Sequence, residues 1–467
     1  MLKKLLNSIK NNIKKNWWKY LILLIYIIFI FIIILKHEPW ADEAQAWLIA
    51  RDASYPDILM KYIRIEGSPG LWHLILSIPA KLGLPYLSMN IISGLIAFAG
   101  VYVFLFYSPF PKYIKVLLPF SYFTFYQYGV VARNYVLLPL LLFLIAMLYK
   151  DKKEKIFIFI ILLGLLANVS LHGFIIANSI IFIHFIDLVK ERKSLTKEDK
   201  IKQIKAFAIF AAVFIAVFIM VWPPKDLLMR GGFQLDFFNF LKNSFYIFNE
   251  TISFFLFIPA LIWFHKRKTL LLYLVPTFGL LAFFSIKYYM PWHQGALVII
   301  FIFVTWICLE KEGIKLSKIA KVNLVLLFIL LLFQITWTFD SSLRDYYGHY
   351  SVGKDIADYI KENGLQDKKI YAVNYWSIVV LPYFADNIFD NYHNGQKPCF
   401  WLWLKDPFFV SDFDPLIKDQ PDLLILPAYA NKNITGYKFE GIFFSNTYWK
   451  RTKNSVEHNF VLFRKEE

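Results

Sequence analysis

Two adjacent carboxylates, Asp42 and Glu43, stand just after a long apolar segment near the start of the chain. A carboxylate can remove a proton from a reacting hydroxyl group, so this pair is a candidate general base. The same residues also suit the first turn of a helix, with Asp42 as the N-cap and Gln45 completing a capping box. The sequence leaves both interpretations open. They are compatible, because a carboxylate fixed at a helix start is also a positioned base.

Further reactive side chains occur in short polar segments between apolar runs. They are acidic, cationic or phenolic, and they comprise Arg64, Glu66, Arg133, Tyr135, His172, Lys287, Tyr288 and His293. The guanidinium of Arg133 can hold a phosphate through two parallel hydrogen bonds, or it can extend to the phosphates of ordinary lipids. Arg64 and Glu66 could simply pair with each other. A lone histidine such as His172 is more often structural than catalytic.

One carboxylate pair with several cationic groups suits the transfer of a group from a phosphate carrier. A glycosyl phosphate needs little protonation to leave, but positive charge around the departing oxygens stabilises the transition state. The acceptor hydroxyl then needs a single base. A glycoside hydrolase would instead need a second, protonated carboxylic acid near the leaving oxygen.

The composition indicates a membrane protein. Of the 467 residues, 58% are hydrophobic and 18% are charged, whereas soluble proteins are about 45–50% apolar and about 25% charged. The excess lies in long runs with almost no charge, such as Tyr20–Leu35, Leu87–Phe106 and Val322–Phe339. Runs of about 18 or more apolar residues can cross a bilayer. This distribution excludes a soluble enzyme, a disordered chain and a disulfide-stapled secreted domain.

The positions of the lysines predict how the chain crosses the membrane. The net charge of +17 comes from clusters between apolar runs, which indicates topology and anionic lipid rather than a nucleic-acid partner. If residues 71–84 lie at the interface, every basic loop falls on the cytoplasmic side. We therefore expect about eleven spans of roughly 20 residues or fewer, at 18–36, 87–107, 113–128, 134–149, 155–170, 174–189, 206–222, 246–264, 269–286, 295–309 and 321–339.

This topology divides the chain into three parts. Residues 1–17 predict an amphipathic helix on the cytoplasmic membrane surface, followed by an uncleaved anchor. Residues 18–339 form the transmembrane part, whose first outer loop, 37–86, contains the interfacial helix 71–84. Residues 340–467 are more polar. There we expect a small extracytoplasmic α/β domain, with a helix near 352–363 and strands near 369–373, 423–426 and 460–463.

At these residues the chain resembles the GT-C superfamily of polytopic glycosyltransferases, which includes protein O-mannosyltransferases and lipid A aminoarabinose transferases. Those families have an Asp-Glu pair in the first outer loop, a turn into an interfacial helix, an Arg-Pro-Tyr-like hairpin, a later histidine and a polar-aromatic outer loop. The similar segments cover most of residues 18–309 and are Asp42-Glu43, Gly67–Trp72, Arg133–Tyr135, His172 and Lys287–His293. Ser68, Gly70 and Asn134 depart from the family pattern and leave the subfamily and its sugar open.

The resemblance implies an all-α GT-C-like membrane bundle that transfers a hexose or pentose from a polyprenyl-phosphate donor to a lipid, glycan or protein hydroxyl. In the family the aspartate is the base and the arginine binds the carrier phosphate, which carries over to Asp42 and Arg133. We expect Glu43 to orient the acceptor or Asp42. The other expected phosphate ligands are Lys287, Tyr288 and His293, and the expected substrate contacts are Arg64, Glu66, Tyr135 and His172. Some relatives use a divalent cation and others do not, so that cofactor stays open.

Two other classes of protein compete with an enzyme. A transporter or flippase of a lipid-linked or anionic solute would need charges near the membrane midplane and broken helices in matching halves. Here the midplanes are apolar and the halves do not mirror each other. An assembly protein would leave the outer polar residues without a role. The sequence therefore favours a multi-pass glycosyltransferase of the cell membrane, with its N-terminus in the cytoplasm and a transporter as the alternative.

Overall fold

The computed structural model consists of a helical region that runs to Tyr347 and a tail with a small β-sheet. It describes residues 2–225, 227, 238, 252–286, 290–313, 315–403, 413–430, 433–445 and 458–466. Within them, the helices of ten or more residues are α1 (Leu2–Ile34), α2 (Ala41–Asp52), α3 (Leu71–Lys81), α4 (Ser88–Tyr107), α5 (Leu137–Leu148), α6 (Ile156–Ala167), α7 (Leu171–Glu191), α8 (Lys197–Val221), α9 (Ile252–Lys266), α10 (Leu270–Ile286), α11 (Gln294–Glu312), α12 (Lys318–Tyr347) and α13 (Gly353–Glu362).

Seven helices in the described part of the chain are long and apolar enough to cross a bilayer. They are Lys14–Ile34, Ser88–Tyr107, Asn134–Asp151, Leu171–Glu191, Lys197–Val221, Gln294–Glu312 and Lys318–Tyr347. Helices α6, α9 and α10 are apolar but shorter. The predicted span at 113–128 is broken into short helical pieces that include the π-helix Phe123–Val130, because Pro119 cannot donate a helical hydrogen bond. The chain is thus a helical membrane protein.

Helix α1 has a kink in its N-terminal half. Asn16 has non-helical dihedral angles (φ −115°, ψ 16°) inside α1. This point falls at the predicted boundary between the amphipathic segment 1–17 and the apolar anchor. A helix that lies on the membrane and one that crosses it need different directions, so a kink at Asn16 is consistent with that division.

Polar contacts gather at the two ends of the membrane helices. Helix α11 begins after His293 and ends at Glu312, and its 19 residues correspond to about 28 Å. At its far end, Arg267 pairs with Glu312 (Nε–Oε2 2.5 Å), and Lys152 of a neighbouring loop pairs with Asp187 (Nζ–Oδ2 3.1 Å). Lys152, Arg267 and Glu312 belong to the basic loops that the sequence predicts on the cytoplasmic side, and Asp187 lies near the end of α7. The near end, at His293, holds the acidic and aromatic residues described below.

Residues 37–86, the predicted first outer loop, contain two packed helices. Glycine at position 67 adopts a left-handed conformation (φ 62°) and ends the short helix Ile63–Glu66, and the chain then turns into α3. Helix α3 has 11 residues, or about 16 Å, which is too short for a hydrocarbon core of about 30 Å. Its buried face, which includes Trp72 and Leu76, packs against α2. Helix α2 is therefore held between α3 and the tail.

The tail contains a four-stranded mixed sheet with the strand order β1-β2-β4-β3. The strands are β1 (Ile370–Ala372), β2 (Leu423–Pro427), β3 (Tyr437–Phe443) and β4 (Phe460–Lys465). Strands β1 and β2 are parallel, and β4 is antiparallel to both of its neighbours. The three predicted strands and the predicted helix α13 are present. Strand β3 is not predicted, because it is a partly exposed edge strand with a bulge near Gly441.

The tail is bound to α2 through side chains that reach its backbone. The amide of Gln45 donates to the carbonyl oxygen of Trp401 and accepts from its N–H, both at 2.8 Å. Arg51 donates to the carbonyl oxygen of Phe384 (2.8 Å), and Asp52 accepts from the N–H of Cys399 (3.1 Å). These bonds place the tail directly over the helix that carries the Asp-Glu pair.

Candidate active site

The Asp-Glu pair lies in the first turn of α2, two positions further into the helix than predicted. The helix begins at Ala41 with Trp40 as the N-cap, and the backbone N–H of Trp40 donates to Oε2 of Glu43 (3.1 Å). The predicted capping box of Asp42 and Gln45 is therefore wrong. Glu43 caps the N-terminus of the helix, and Gln45 binds the tail. The carboxylate of Asp42 takes no part in the cap and is available for other contacts.

Glu43 belongs to a buried network that joins four segments of the chain. Its Oε1 accepts from the N–H of Ala132 (2.6 Å), and its Oε2 contacts Nε2 of His37 (3.1 Å). Nδ1 of His37 in turn contacts Oδ2 of Asp345 (2.7 Å), and the hydroxyl of Tyr126 donates to the same oxygen (3.1 Å). Glu43 therefore positions α2 against the hairpin before Arg133.

The imidazole of His37 is the positive member of this network. Burial alone would lower its pKa, but the carboxylates of Asp345 and Glu43 on either side raise the pKa to about 10. At neutral pH the protonated ring donates to both carboxylates. A buried charge of this kind is stable only when it is paired and hydrogen-bonded, so the three residues depend on one another.

Asp42 is the accessible carboxylate of the pair. Its Oδ2 forms an ion pair with Nη1 of Arg133, and its Oδ1 accepts a hydrogen bond of 2.7 Å from the hydroxyl of Tyr375. The side chains of Asp42 and Arg133 are 27% and 23% exposed, whereas Glu43 is fully buried. The guanidinium of Arg133 also lies over the ring of Trp40, 5.9 Å from its centre. A carboxylate and a guanidinium that both face partly outward can each meet a ligand.

Glu66 is a second carboxylate beside this ion pair. Its Oε1 accepts a hydrogen bond of 2.7 Å from Gln45. Burial raises the pKa of Glu66 to about 7; the bond from Gln45 and the charge of Arg133 lower it, and the charge of Asp42 raises it. The predicted alternative, an Arg64–Glu66 pair, is not formed, because Arg64 instead donates to the carbonyl oxygen of Trp222 (2.9 Å). Arg64 lies outside the site and Glu66 within it.

We expect Glu66→Gln to flatten the pH dependence of stability. Folding raises the pKa of the Glu66 carboxyl from 4.5 to about 7, so the folded protein binds the proton more tightly than the unfolded chain does. The resulting contribution to stability is complete below the pKa of the unfolded state and is lost as the pH rises through the pKa of the folded state. The thermal unfolding midpoint of the wild-type protein in detergent should therefore decrease as the pH is raised from about 5 to about 8. The variant should fall less, and Glu362→Gln, at an exposed position, should behave like the wild type. Equal slopes for all three proteins would contradict the buried carboxyl.

Three aromatic side chains from separate segments meet next to Arg133: Tyr135 of the short helix Asn134–Val136, His172 in the first turn of α7 and His293 just before α11. The ring centres of Tyr135 and His172 are 5.5 Å apart, those of Tyr135 and His293 are 6.1 Å apart, and those of the two histidines are 4.6 Å apart. Burial, His172 and Arg133 together hold the pKa of His293 well below its ordinary value, so its imidazole is neutral. The predicted phosphate ligands Lys287 and Tyr288 lie outside the described residues.

Two residues that depart from the family pattern contact each other. The side-chain amide of Asn134 donates to Oγ of Ser68 (3.1 Å) and to the carbonyl oxygen of Val169 (2.8 Å). Asn134 thus joins three outer segments: the glycine turn before α3, the arginine hairpin and the loop before His172. A proline at this position could not form these bonds, so the two departures are linked in structure.

One group of potential metal ligands occurs within the described residues. Glu38, His349 and Asp355 place one ligand atom each within 4.8 Å of one another. The group lies where the first outer loop meets the start of α13, and it does not include Asp42 or Arg133.

The structure brings together seven of the predicted site residues. They are Asp42, Glu43, Glu66, Arg133, Tyr135, His172 and His293. It adds three residues that the prediction did not assign to the site: His37, Asp345 and Tyr375. The buried His73 of α3 is close enough to Arg133 that burial and the charge of Arg133 lower its pKa to about 4. No protein-family model and no curated protein sequence matches the chain, so these contacts carry the functional argument.

Proposed function

We propose that the protein is a membrane glycosyltransferase that moves a sugar from a polyprenyl-phosphate donor to an acceptor hydroxyl. The observation that carries this proposal is the pair formed by the accessible carboxylate of Asp42 and the guanidinium of Arg133. A carboxylate at a helix start supplies a base, and an arginine beside it supplies a fork of donors for phosphate. Such a pair at the end of a bundle of apolar helices suits a donor whose prenyl chain lies in lipid.

The proposed reaction separates the ion pair of Asp42 and Arg133, so that Asp42 contacts the acceptor and Arg133 contacts the donor phosphate. Asp42 accepts the proton of the acceptor hydroxyl as its oxygen forms a bond to the anomeric carbon. The bond between that carbon and the phosphate oxygen breaks, and its electron pair leaves with the prenyl phosphate. Arg133 releases Asp42, binds the donor phosphate and stabilises the negative charge of that phosphate. His293 and the predicted ligands Lys287 and Tyr288 assist it. Attack from the side opposite the phosphate inverts the anomeric configuration.

We propose that this site faces away from the cytoplasm in a GT-C-like bundle of about eleven spans. The outer segments of the predicted topology are those that meet around Asp42, and the lysine-rich loops are those that meet at the other end of α11. The positive-inside rule assigns the lysine-rich end to the cytoplasm. The tail over α2 is then extracytoplasmic, where it can take part in choosing the acceptor.

The test is consumption of undecaprenyl-phosphate hexoses and pentoses, each labelled in the sugar, by sealed membrane vesicles that contain the protein. We expect right-side-out vesicles to break the sugar–phosphate bond of at least one donor added outside, and inside-out vesicles to do so only after detergent opens them. Vesicles without the protein are the control. Movement of intact donor across the membrane without cleavage would favour the transporter. The opposite dependence on vesicle orientation would contradict the proposed topology alone.

A further inference from the structure

The turn that follows β1 places the side chain of Tyr375 next to Asp42. Asn374 follows the strand with φ 63° and ψ 172°, a backbone region that residues other than glycine rarely adopt, and such strained residues cluster at functional sites. Its side-chain oxygen accepts from the N–H of Trp376 (3.1 Å), which fixes the turn. The 3₁₀ helix Tyr375–Tyr383 begins there, so the first side chain after the turn projects toward α2.

The hydroxyl of Tyr375 hydrogen-bonds the carboxylate oxygen of Asp42 that does not pair with Arg133. It donates to Oδ1 of Asp42 at 2.7 Å, while Oδ2 is held by Arg133. The phenol is 4% exposed, and its ring packs against Trp403 and Trp376, with ring centres 4.5 Å and 5.2 Å away. Burial and the charge of Asp42 hold its pKa well above the ordinary value, so the hydroxyl keeps its proton.

An acceptor hydroxyl must make the same bond that Tyr375 makes. A group that loses its proton to Asp42 has to donate a hydrogen bond to the carboxylate at roughly 2.6–3.2 Å. Water can make that bond too, and it is far more concentrated than any acceptor. Any enzyme that opens a glycosyl phosphate near water must therefore prevent hydrolysis.

Resting on the function proposed above, we propose that Tyr375 determines whether the sugar passes to the acceptor or to water. Its hydroxyl fills the acceptor position on Asp42 until an acceptor displaces it. An acceptor can do so because its remote parts also bind the protein, and that binding energy offsets the loss of the Tyr375 contact. A water molecule has no remote parts and does not displace a packed phenol.

The side reaction that Tyr375 suppresses is ordinary hydrolysis. A proton of water passes to Asp42, and the water oxygen forms a bond to the anomeric carbon. The bond from that carbon to the phosphate oxygen breaks, and free sugar and prenyl phosphate result. In Tyr375→Phe the ring stays in place but the hydroxyl is absent, which leaves room for one water molecule beside a polar partner.

The test compares free-sugar release by purified protein in lipid nanodiscs, with the labelled undecaprenyl-phosphate sugars and no acceptor. We expect Tyr375→Phe to hydrolyse the donor at least about tenfold faster than the wild type, since a water on a base gains general-base catalysis. Tyr371→Phe is the matched control, because the hydroxyl of Tyr371 contacts Asp419 in the tail. Release by Tyr375→Phe at or below the wild-type rate would overturn the proposal and would indicate a merely positioning role.

A second readout needs no substrate. In donor-free protein, a carbodiimide with glycine ethyl ester should modify Asp42 severalfold more in Tyr375→Phe than in the wild type or in Tyr371→Phe, as measured by peptide mass spectrometry. Unchanged modification would overturn the proposal even if hydrolysis rose. If no protein in the set consumes any donor, the proposed glycosyltransferase function fails, while the labelling still decides whether Tyr375 covers Asp42.

Discussion

Asp42→Asn should reduce sugar transfer by about 10²–10⁴-fold. An asparagine has nearly the same shape and can still accept the hydrogen bond from Tyr375, but its amide cannot take a proton from the acceptor. The measurement is the initial rate of label transfer from the polyprenyl-phosphate donor in membranes that contain equal amounts of each protein. Donor binding should persist, because Arg133 remains and no longer has a carboxylate as its competing partner.

The control for this variant is Asp57→Asn. Asp57 lies in the same outer loop, and its carboxylate accepts from the hydroxyl of Ser54 at an exposed position, so the substitution removes a similar charge without touching the site. Transfer by this control should match the wild type. If Asp42→Asn retained transfer at the wild-type rate, Asp42 would not be the base, and Glu66, the second acid beside the ion pair, would be the next residue to examine.

Arg133→Lys should reduce kcat/KM for the donor by about 10²–10³-fold. Lysine keeps the charge but loses the planar fork that binds two phosphate oxygens at once. The substitution also separates two roles for Arg133. An arginine that only extends to lipid phosphates could be replaced by lysine at little cost, since both side chains can do this.

Arg64→Lys is the matched control for the arginine. Arg64 is on the same outer loop as Asp42, but its Nε donates to the carbonyl oxygen of Trp222 and it makes no contact with the ion pair in the structure. We expect Arg64→Lys to transfer sugar at the wild-type rate. Equal losses in both lysine variants would point to a general effect on the outer loop and against a phosphate site at Arg133.

Local patterns predict much of the helical framework. Apolar runs suffice to locate most of the long helices. The lysine clusters predict that Asp42, Glu66, Arg133 and His293 lie on one side of the membrane, and the structure brings those residues together. The prediction fails where a proline breaks the apolar run at 113–128. It fails again at β3, because an edge strand with one exposed face lacks a continuous apolar run.

The contacts that complete the site could not be predicted from local patterns. Tyr375 and Asp42 are 333 positions apart, and His37 and Asp345 are 308 positions apart. No periodicity or spacing connects residues at such separations, and Tyr375 stands in a tail whose sequence shows only short strands. The roles of Glu43 and Gln45 in α2 differ from the prediction: Glu43 caps the helix in the place predicted for Gln45, and Gln45 contacts the distant tail. Gln45 lies beyond the helix cap because α2 begins at Ala41, and its amide binds the backbone of Trp401 instead.

The pairing of His37 with Asp345 affects how the protein is made. Helix α1 enters the membrane early in translation, whereas Asp345 is at the end of α12. Ribosomes add about 5–20 residues per second, so the 308 positions between the two residues correspond to about 15–60 s of synthesis. During that time Glu43 is the partner of His37 available within the nascent chain, and the interior charge balance is completed only when the final membrane helix has been inserted.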